Sequence, residues 1–416
     1  MGIVSALGNN VNETLLTLQA QKSGIAPLHY LKTSHTEFPV GEVKMTNEEM
    51  MDILKIPENE PTTRTSLMGM IALKEALRHC GIDPQSPAKA GMTGKKIAFI
   101  NGTTVGGMDK TEQYYIDFIE NDTKNVYIST HDCGTCTEMI ADYFGIFSQV
   151  DTISTACSSA ANAIMLGAEL LISGRADIVV AGGSECITKF HLNGFNTLMI
   201  LDREPCRPFD ATRAGLNLGE GAAYIVMEKA PLNPPERGKP HEQRGIAGQA
   251  RNDNRIILSG YANTCDAFHQ TASSPDGEGA YLAMKKALEG AQLKPEQIDY
   301  INAHGTGTAN NDLSEGMAIV RLFGENIPPV SSTKSFTGHT TSAAGGVESV
   351  FSILALQHNF IPVNLNFSEK MPELPFVPYS DCHCGLDPQS LELRHVLCNS
   401  FGFGGNDTSL IFSKIT

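Results

Sequence analysis

Short apolar runs alternate with stretches of helical spacing along most of the chain. A β-branched run at residues 150–154 leads into a crowd of small residues: Thr155, Ala156, Cys157, Ser158 and Ser159. Ala163, Met165, Leu166, Ala168, Leu170 and Leu171 then recur at helical spacing, so the stretch reads as strand, tight turn and helix. Residues 63–77 carry the same helical period through Leu67, Met70, Ile71, Leu73, Ala76 and Leu77. A loop rich in Pro, Gly and Lys (81–96) follows, then the apolar strand IAFI and the glycine-rich turn NGTTVGG. The chain opens on MGIVSALGNN, which reads as a strand end and a turn with no strand before it, as if a first strand had been cut away.

Three of these segments recur in the same order. IAFINGTT, starting at Ile97, resembles IDYINAHGT, starting at Ile298. Residues 151–171 resemble residues 330–356, and DIVVAGGSE, starting at Asp177, resembles HVLCNSFGFGG, starting at His395. The shared order predicts duplication of one α/β unit, with mainly parallel sheets covered on both faces. The halves are residues 1–230, carrying Cys157, and 256–416, carrying His304 and His339; the polar segment 231–255 is a loop insertion between them. In this alignment Cys157 and His339 occupy equivalent turns. A pseudo-two-fold arrangement should bring them within about 10 Å, since catalytic partners must reach a shared substrate. A near-identical pair of heptamers, CGIDPQS at Cys80 and CGLDPQS at Cys384, lies outside the duplicated segments and suggests no chemistry.

At 416 residues the chain exceeds what one hydrophobic core serves, which agrees with duplication. Its 41% hydrophobic and 19% charged residues describe a globular protein, and the net charge of −15 argues against a nucleic-acid partner. No apolar run reaches the ~18 residues of a membrane span. Ten cysteines without regular spacing or a secretory signal read as reduced thiols of a cytoplasmic protein. CGTC (Cys133, Cys136) and CHC (Cys382, Cys384) lack a second ligand pair, so no metal site is expected.

Cys157 falls at a helix N-terminus, where unpaired N–H groups and the helix dipole favour a thiolate. His304 lies in NAHGTGTANND, directly after an apolar strand, and His339 in STKSFTGHTTSAAG, just before a helix. Ligands of open α/β sheets bind outside the carboxyl ends of the strands, where all three turns should converge.

The turns TACSSA, NAHGTGT, TKSFTGH and NSFGFGG, together with CRPFDATRAGLNLGEGA, resemble the signature segments of the β-ketoacyl-acyl carrier protein synthases over nearly the whole chain. The Cys-His-His set resembles the elongating branch. Thiolases carry a second cysteine, initiating synthases have asparagine in place of His339, and the non-catalytic chain-length subunits lack the nucleophile. The resemblance implies an α/β thiolase fold, a duplicated five-layered αβαβα sandwich. It also implies a dimer, formed with a second copy or with a second synthase-like subunit. The implied activity is decarboxylative condensation of an acyl group on Cys157 with malonyl-acyl carrier protein, for fatty acid or related polyene or polyketide synthesis. No cofactor is expected beyond the phosphopantetheine of the acyl carrier protein.

By the same resemblance, the backbone N–H groups of Cys157 and Phe401 form the oxyanion hole, and neutral His304 and His339 donate to the enolate. Lys334 organises charge, with Glu348 balancing it, and Asp312 and Glu315 are structural. Thr306 and Thr308 hold the pantetheine arm, Phe401 gates the site, and Val105 and Met108 limit the acyl pocket near the dimer interface. Arg64, Arg203, Arg207 and Arg213 offer a surface to the carrier protein. The chain departs from the family pattern at Ala214, where an acidic residue is usual, and at GGND (404–407), where GGTN is usual. LNLGEGA is a variant associated with specialised pathways such as aryl polyene synthesis.

Overall fold

The computed structural model describes residues 1–82, 94–230, 246–248, 255–380 and 392–415. The CGLDPQS heptamer, all but the first three residues of CGIDPQS, Cys382 and most of the 231–255 segment lie outside the described residues. The chain begins with β1 (Gly2–Ser5), α1 (Val11–Gln19), α2 (Asn47–Leu54) and α3 (Arg64–His79). Next come β2 (Ile97–Gly102), α4 (Met108–Asn121), α5 (Cys133–Phe144), β3 (Gln149–Ile153), α6 (Ser159–Ile172), β4 (Ile178–Glu185), α7 (Lys189–Thr197) and β5 (Gly221–Lys229). After the short β6 (Ile246–Gly248) the second half runs β7 (Arg255–Cys265), α8 (Glu278–Ala291), β8 (Tyr300–Asn302) and α9 (Ala309–Phe323). It closes with β9 (Val330–Ser331), α10 (Lys334–Thr337), α11 (Ala344–His358), β10 (His395–Gly402) and β11 (Asn406–Ile415).

The duplication is visible in the strand order. The first half forms β3-β2-β4-β5-β1 and the second β9-β8-β10-β11-β7, with β6 bridging β5 and β7. In each half four strands run the same way and one, β5 or β11, runs against them between its neighbours, so two strand pairs are parallel, two are antiparallel and the sheets are mixed. The antiparallel strands follow from short returns such as the β10–β11 hairpin, which a helical crossover cannot make.

α6 and α11 explain the layering. α11 is buried continuously from Ala344 to Leu356, and α6 buries Ala160, Ala161, Ala163, Ile164, Ala168, Leu170 and Leu171. A helix apolar all round has no face for water and must lie between layers. Both helices contribute to one central core with Ala98, Ile100, Val179, Val396 and Leu410 from the two sheets. α3 and α5 cover the outer face of the first sheet and α8 and α9 that of the second, which completes the thiolase-type sandwich.

Gly2–Ser5 forms a buried strand, with Gly2 opposite Tyr224 and Ser5 opposite Gly221. Four residues are too few for alternation to show in the sequence, and tertiary partners define the element. Glu75 of α3 anchors it, accepting the Ile3 N–H at 3.0 Å and the Val11 N–H at 2.9 Å. Among the described residues no helix is long and apolar enough to cross a membrane.

Candidate active site

Cys157 sits on the turn between β3 and α6. Ala156 before it adopts φ +51°, a left-handed conformation that costs an L-residue roughly 1–2 kcal/mol. The turn is held by its own hydroxyls: Ser158 donates to the Thr155 carbonyl at 2.8 Å, and Ser159 to the Ala156 carbonyl at 2.6 Å. Small polar residues therefore crowd this turn because their short side chains replace the backbone partners the strain removes.

The equivalent turn of the second half supplies His339, whose Nε2 lies 2.9 Å from Cys157 Sγ. Its backbone is clamped by the LNLGEGA stretch: His339 N–H donates to the Asn217 carbonyl at 2.7 Å, and Gly219 N–H donates to the His339 carbonyl at 2.9 Å. The His304 ring meets the His339 ring edge-on, with centroids 5.3 Å apart. Buried Lys334 reaches His304 Nδ1 at 3.2 Å and forms an ion pair with buried Glu348. An ammonium can only donate, so Nδ1 of His304 accepts and the ring proton resides on Nε2.

Burial dominates the protonation of this cluster. It pushes the Cys157 thiol up to about 11, against the Lys334 charge and the backbone N–H groups of Phe403 and Cys157, which favour the thiolate. The helix N-terminus therefore does not outweigh burial, and the thiol form prevails at neutral pH. Burial and the Lys334 charge hold both histidines well below the usual imidazole range, so both are neutral. Burial raises the Glu348 carboxyl, and Lys334 works in the opposite direction.

A cavity of about 270 Å³ reaches these groups, lined by Cys157, His304, His339, Thr306, Thr308 and both phenylalanines of NSFGFGG. Thr306 and Thr308 share a hydroxyl contact of 2.9 Å on its wall. The carboxylates after the His304 turn hold its backbone: Glu315 accepts the His304 and Gly305 N–H groups at 2.9 and 2.8 Å, and Asp312 accepts those of Gly307 and Phe209.

Several expected placements change. Phe403, not Phe401, brings its N–H to the Cys157 sulfur. Phe401 is interior to β10, buried with its ring 5.8 Å from His304, whereas Phe403 heads the turn to β11 and stacks on Phe195 at 5.9 Å. Gly404 and Gly405 follow Phe403 at φ +84° and +73°, so the freedom of the turn lies on its side. Neither Val105 nor Met108 lines the cavity; Val105 is buried, with its N–H on Glu185.

The arginines also divide. Arg64 is internal, bound to Glu220 at 2.6 Å and to the Val43 and Met45 carbonyls, and offers no carrier surface. Arg213 ties the carbonyls of Thr308 and Ala309, Arg207 lies 3.4 Å from Asp202, and Arg203 is exposed. Departing Ala214 lines the cavity.

Glu185 escaped the sequence reading. Fully buried at the end of β4, it accepts from the Thr103 hydroxyl, the N–H groups of Thr104 and Val105, and the Ser342 hydroxyl just beyond His339. A glutamate closing an apolar strand carries no signal of partners 80 and 157 residues away.

Comparison with known proteins places this geometry. Models of the beta-ketoacyl synthase N-terminal and C-terminal domains match residues 1–232 and 256–368. The 3-oxoacyl-[acyl-carrier-protein] synthase 2 of Staphylococcus aureus (strain COL) is 30% identical over 429 aligned positions, covering 100% of this chain and 97% of the relative. The enzyme of the same name from Coxiella burnetii is also 30% identical, with the same coverage. Among solved structures, a ketosynthase from Xenorhabdus doucetiae in complex with its chain length factor superposes with a TM-score of 0.80 at 29% identity, over 100% of this chain and 96% of that one. The ishigamide ketosynthase/chain length factor gives 0.82 at 26% identity, over 99% and 97%.

Proposed function

The chain belongs to the β-ketoacyl synthase family, and on that premise we propose that it joins a carrier-bound acyl group to malonyl-acyl carrier protein, giving 3-oxoacyl-acyl carrier protein and carbon dioxide. The observation that carries this reading is the 2.9 Å contact between Cys157 Sγ and His339 Nε2, beside a second neutral histidine whose proton is fixed on Nε2 by Lys334. Acyl transfer begins as Cys157 gives up its thiol proton and the sulfur attacks the thioester carbonyl. The carrier thiol leaves with a proton, and the acyl group remains on Cys157. The backbone N–H groups of Cys157 and Phe403 are placed for the oxyanion, and removing one such donor costs about 3–4 kcal/mol in other enzymes.

In the second half-reaction the malonyl carboxylate departs as carbon dioxide. Its electron pair forms the enolate, which attacks the acyl carbonyl and expels the Cys157 thiolate. Two neutral imidazoles suit this step, because each donates to the developing enolate oxygen without giving up its proton. Thr306 and Thr308 offer hydroxyls to the amides of the pantetheine arm. No metal or tightly bound cofactor enters these steps. The acyl carrier protein is the partner at the cavity mouth, and a second synthase-like subunit, as in the solved ketosynthase pairs, is the structural one.

The test is mass spectrometry of the Cys157 peptide after incubation with acyl carrier proteins bearing graded acyl chains. The expected result is an acyl mass on Cys157, lost in Cys157→Ser, with one range of chain lengths preferred. Folded protein that takes no acyl group from any carrier overturns the reading.

A further inference from the structure

The duplication that brings Cys157 and His339 together also crosses the strand tips between the halves. Asn101 of β2 stands beside Gly182 of β4 as Asn302 of β8 stands beside Cys398 of β10, so the tips of β4 and β10 are equivalent. The tip of β10 holds the Cys157 turn of the first half, where Ser400 donates to the Cys157 carbonyl at 3.1 Å. The tip of β4 ends in Glu185, which accepts from the hydroxyl of Ser342, just beyond His339 in the second half.

The His339 turn needs such a hold. Thr341 adopts φ +46°, a left-handed conformation that β-branched residues rarely take. Its own hydroxyl is buried without a hydrogen-bond partner among the described residues, so it does not fix the turn. The His339 ring has no second anchor either: Nδ1 is buried and unpartnered among the described residues, and Nε2 faces the Cys157 sulfur. A ring without that second hydrogen bond depends on packing and on the backbone that carries it. That backbone is clamped at His339 itself by Asn217 and Gly219, and a few residues on by the Ser342 hydroxyl.

Glu185 gives Ser342 a fixed base. Its carboxylate is fully buried, makes no ion pair among the described residues, and accepts from Thr103 Oγ1 at 3.1 Å, Thr104 N–H at 2.7 Å, Thr104 Oγ1 at 2.6 Å and Val105 N–H at 3.3 Å. A carboxylate takes so many donors because both its oxygens only accept. Those four donors come from the turn after β2 in the first half, and Ser342 comes from the second.

We propose that Glu185 is a positioning residue for His339: held by the turn after β2, it seats the Ser342 hydroxyl and thereby sets the His339 ring for the enolate step. The proposal rests on the condensation reading given above and assigns Glu185 no contact with substrate.

Two variants separate this role from general support of the fold. Ser342→Ala removes the donor on the His339 side, and Thr103→Val removes a donor of the same carboxylate on the other side. Both are checked for folding by melting temperature. Single-turnover assays follow acylation of Cys157 by acyl-carrier protein, then carbon–carbon bond formation by the acylated enzyme with malonyl-carrier protein. Ser342→Ala should slow condensation at least tenfold while acylation and the Michaelis constant for malonyl-carrier protein stay within twofold. Thr103→Val should hold both steps within twofold. In protein labelled with nitrogen-15 histidine, the ring signals lost in His339→Asn should shift or broaden in Ser342→Ala and stay in place in Thr103→Val. That readout needs no turnover, so it tests the positioning separately from the condensation reading. A Ser342→Ala protein whose His339 signals do not move, that condenses as fast as the wild type, or in which both steps fall alike overturns the proposal.

Discussion

At the scale of single residues, Cys157 shows two influences in opposition. Its place ahead of α6 and the N–H groups of Cys157 and Phe403 favour the thiolate, while complete enclosure favours the thiol, and enclosure wins. Only the first influence is written in the local sequence. With the thiol pushed up to about 11, alkylation of Cys157 by iodoacetamide in the absence of substrate should rise about tenfold per pH unit from pH 7 to 10. Intact-mass kinetics would measure it, and a plateau near pH 8 would show a thiolate already formed. The phenylalanines make the same point. Phe401 and Phe403 stand two apart in one glycine-rich string, and only the strand boundary at Gly402 shows which of them heads a turn.

At the scale of elements, the β10–β11 hairpin presses its turn onto the nucleophile. A Cβ on Gly402 would sit 2.8 Å from the Thr155 carbonyl oxygen and 3.2 Å from the Cys157 nitrogen, which explains why glycine stands there. The departure from the usual GGTN ending has its consequence on the next strand. Asp407 is buried beside Asp266 and Glu315, and burial followed by these two carboxylates raises it to about 8. A carboxyl raised in the folded state contributes stability that is lost as pH climbs from its unfolded value towards the folded one. Asp407→Asn should therefore be more stable than the wild type by a wider margin at pH 8 than at pH 4.5, on the order of several kcal/mol, and its melting temperature should rise accordingly. Differential scanning fluorimetry at the two values checks this, and an equal offset at both would refute it.

At the scale of the whole molecule, duplication is the organising fact. It sets two α helices back to back and delivers Cys157 and His339, 182 residues apart, to one point. The first half is tied together by Arg64 at the start of α3, which binds Glu220 and the carbonyls of Val43 and Met45. Breaking a buried pair leaves its partner charge uncompensated, so Arg64→Ala should lower stability by about 3–5 kcal/mol in chemical denaturation. The Michaelis constant for carrier-bound substrate should stay unchanged while the protein is folded; an increase would return Arg64 to the carrier surface.

The sequence by itself determined the duplicated α/β plan, the three reactive turns and the residue types that carry the chemistry. These are properties of short contiguous stretches, where the period of apolar residues and the placing of glycine and small polar residues act directly on the backbone. Tertiary structure alone decided the mixed direction of the sheets, the strand made by Gly2–Ser5, the burial of Arg64, the role of Phe403 and the protonation of Cys157. Each of these depends on register or enclosure, which sum over residues far apart in the chain and leave no local trace.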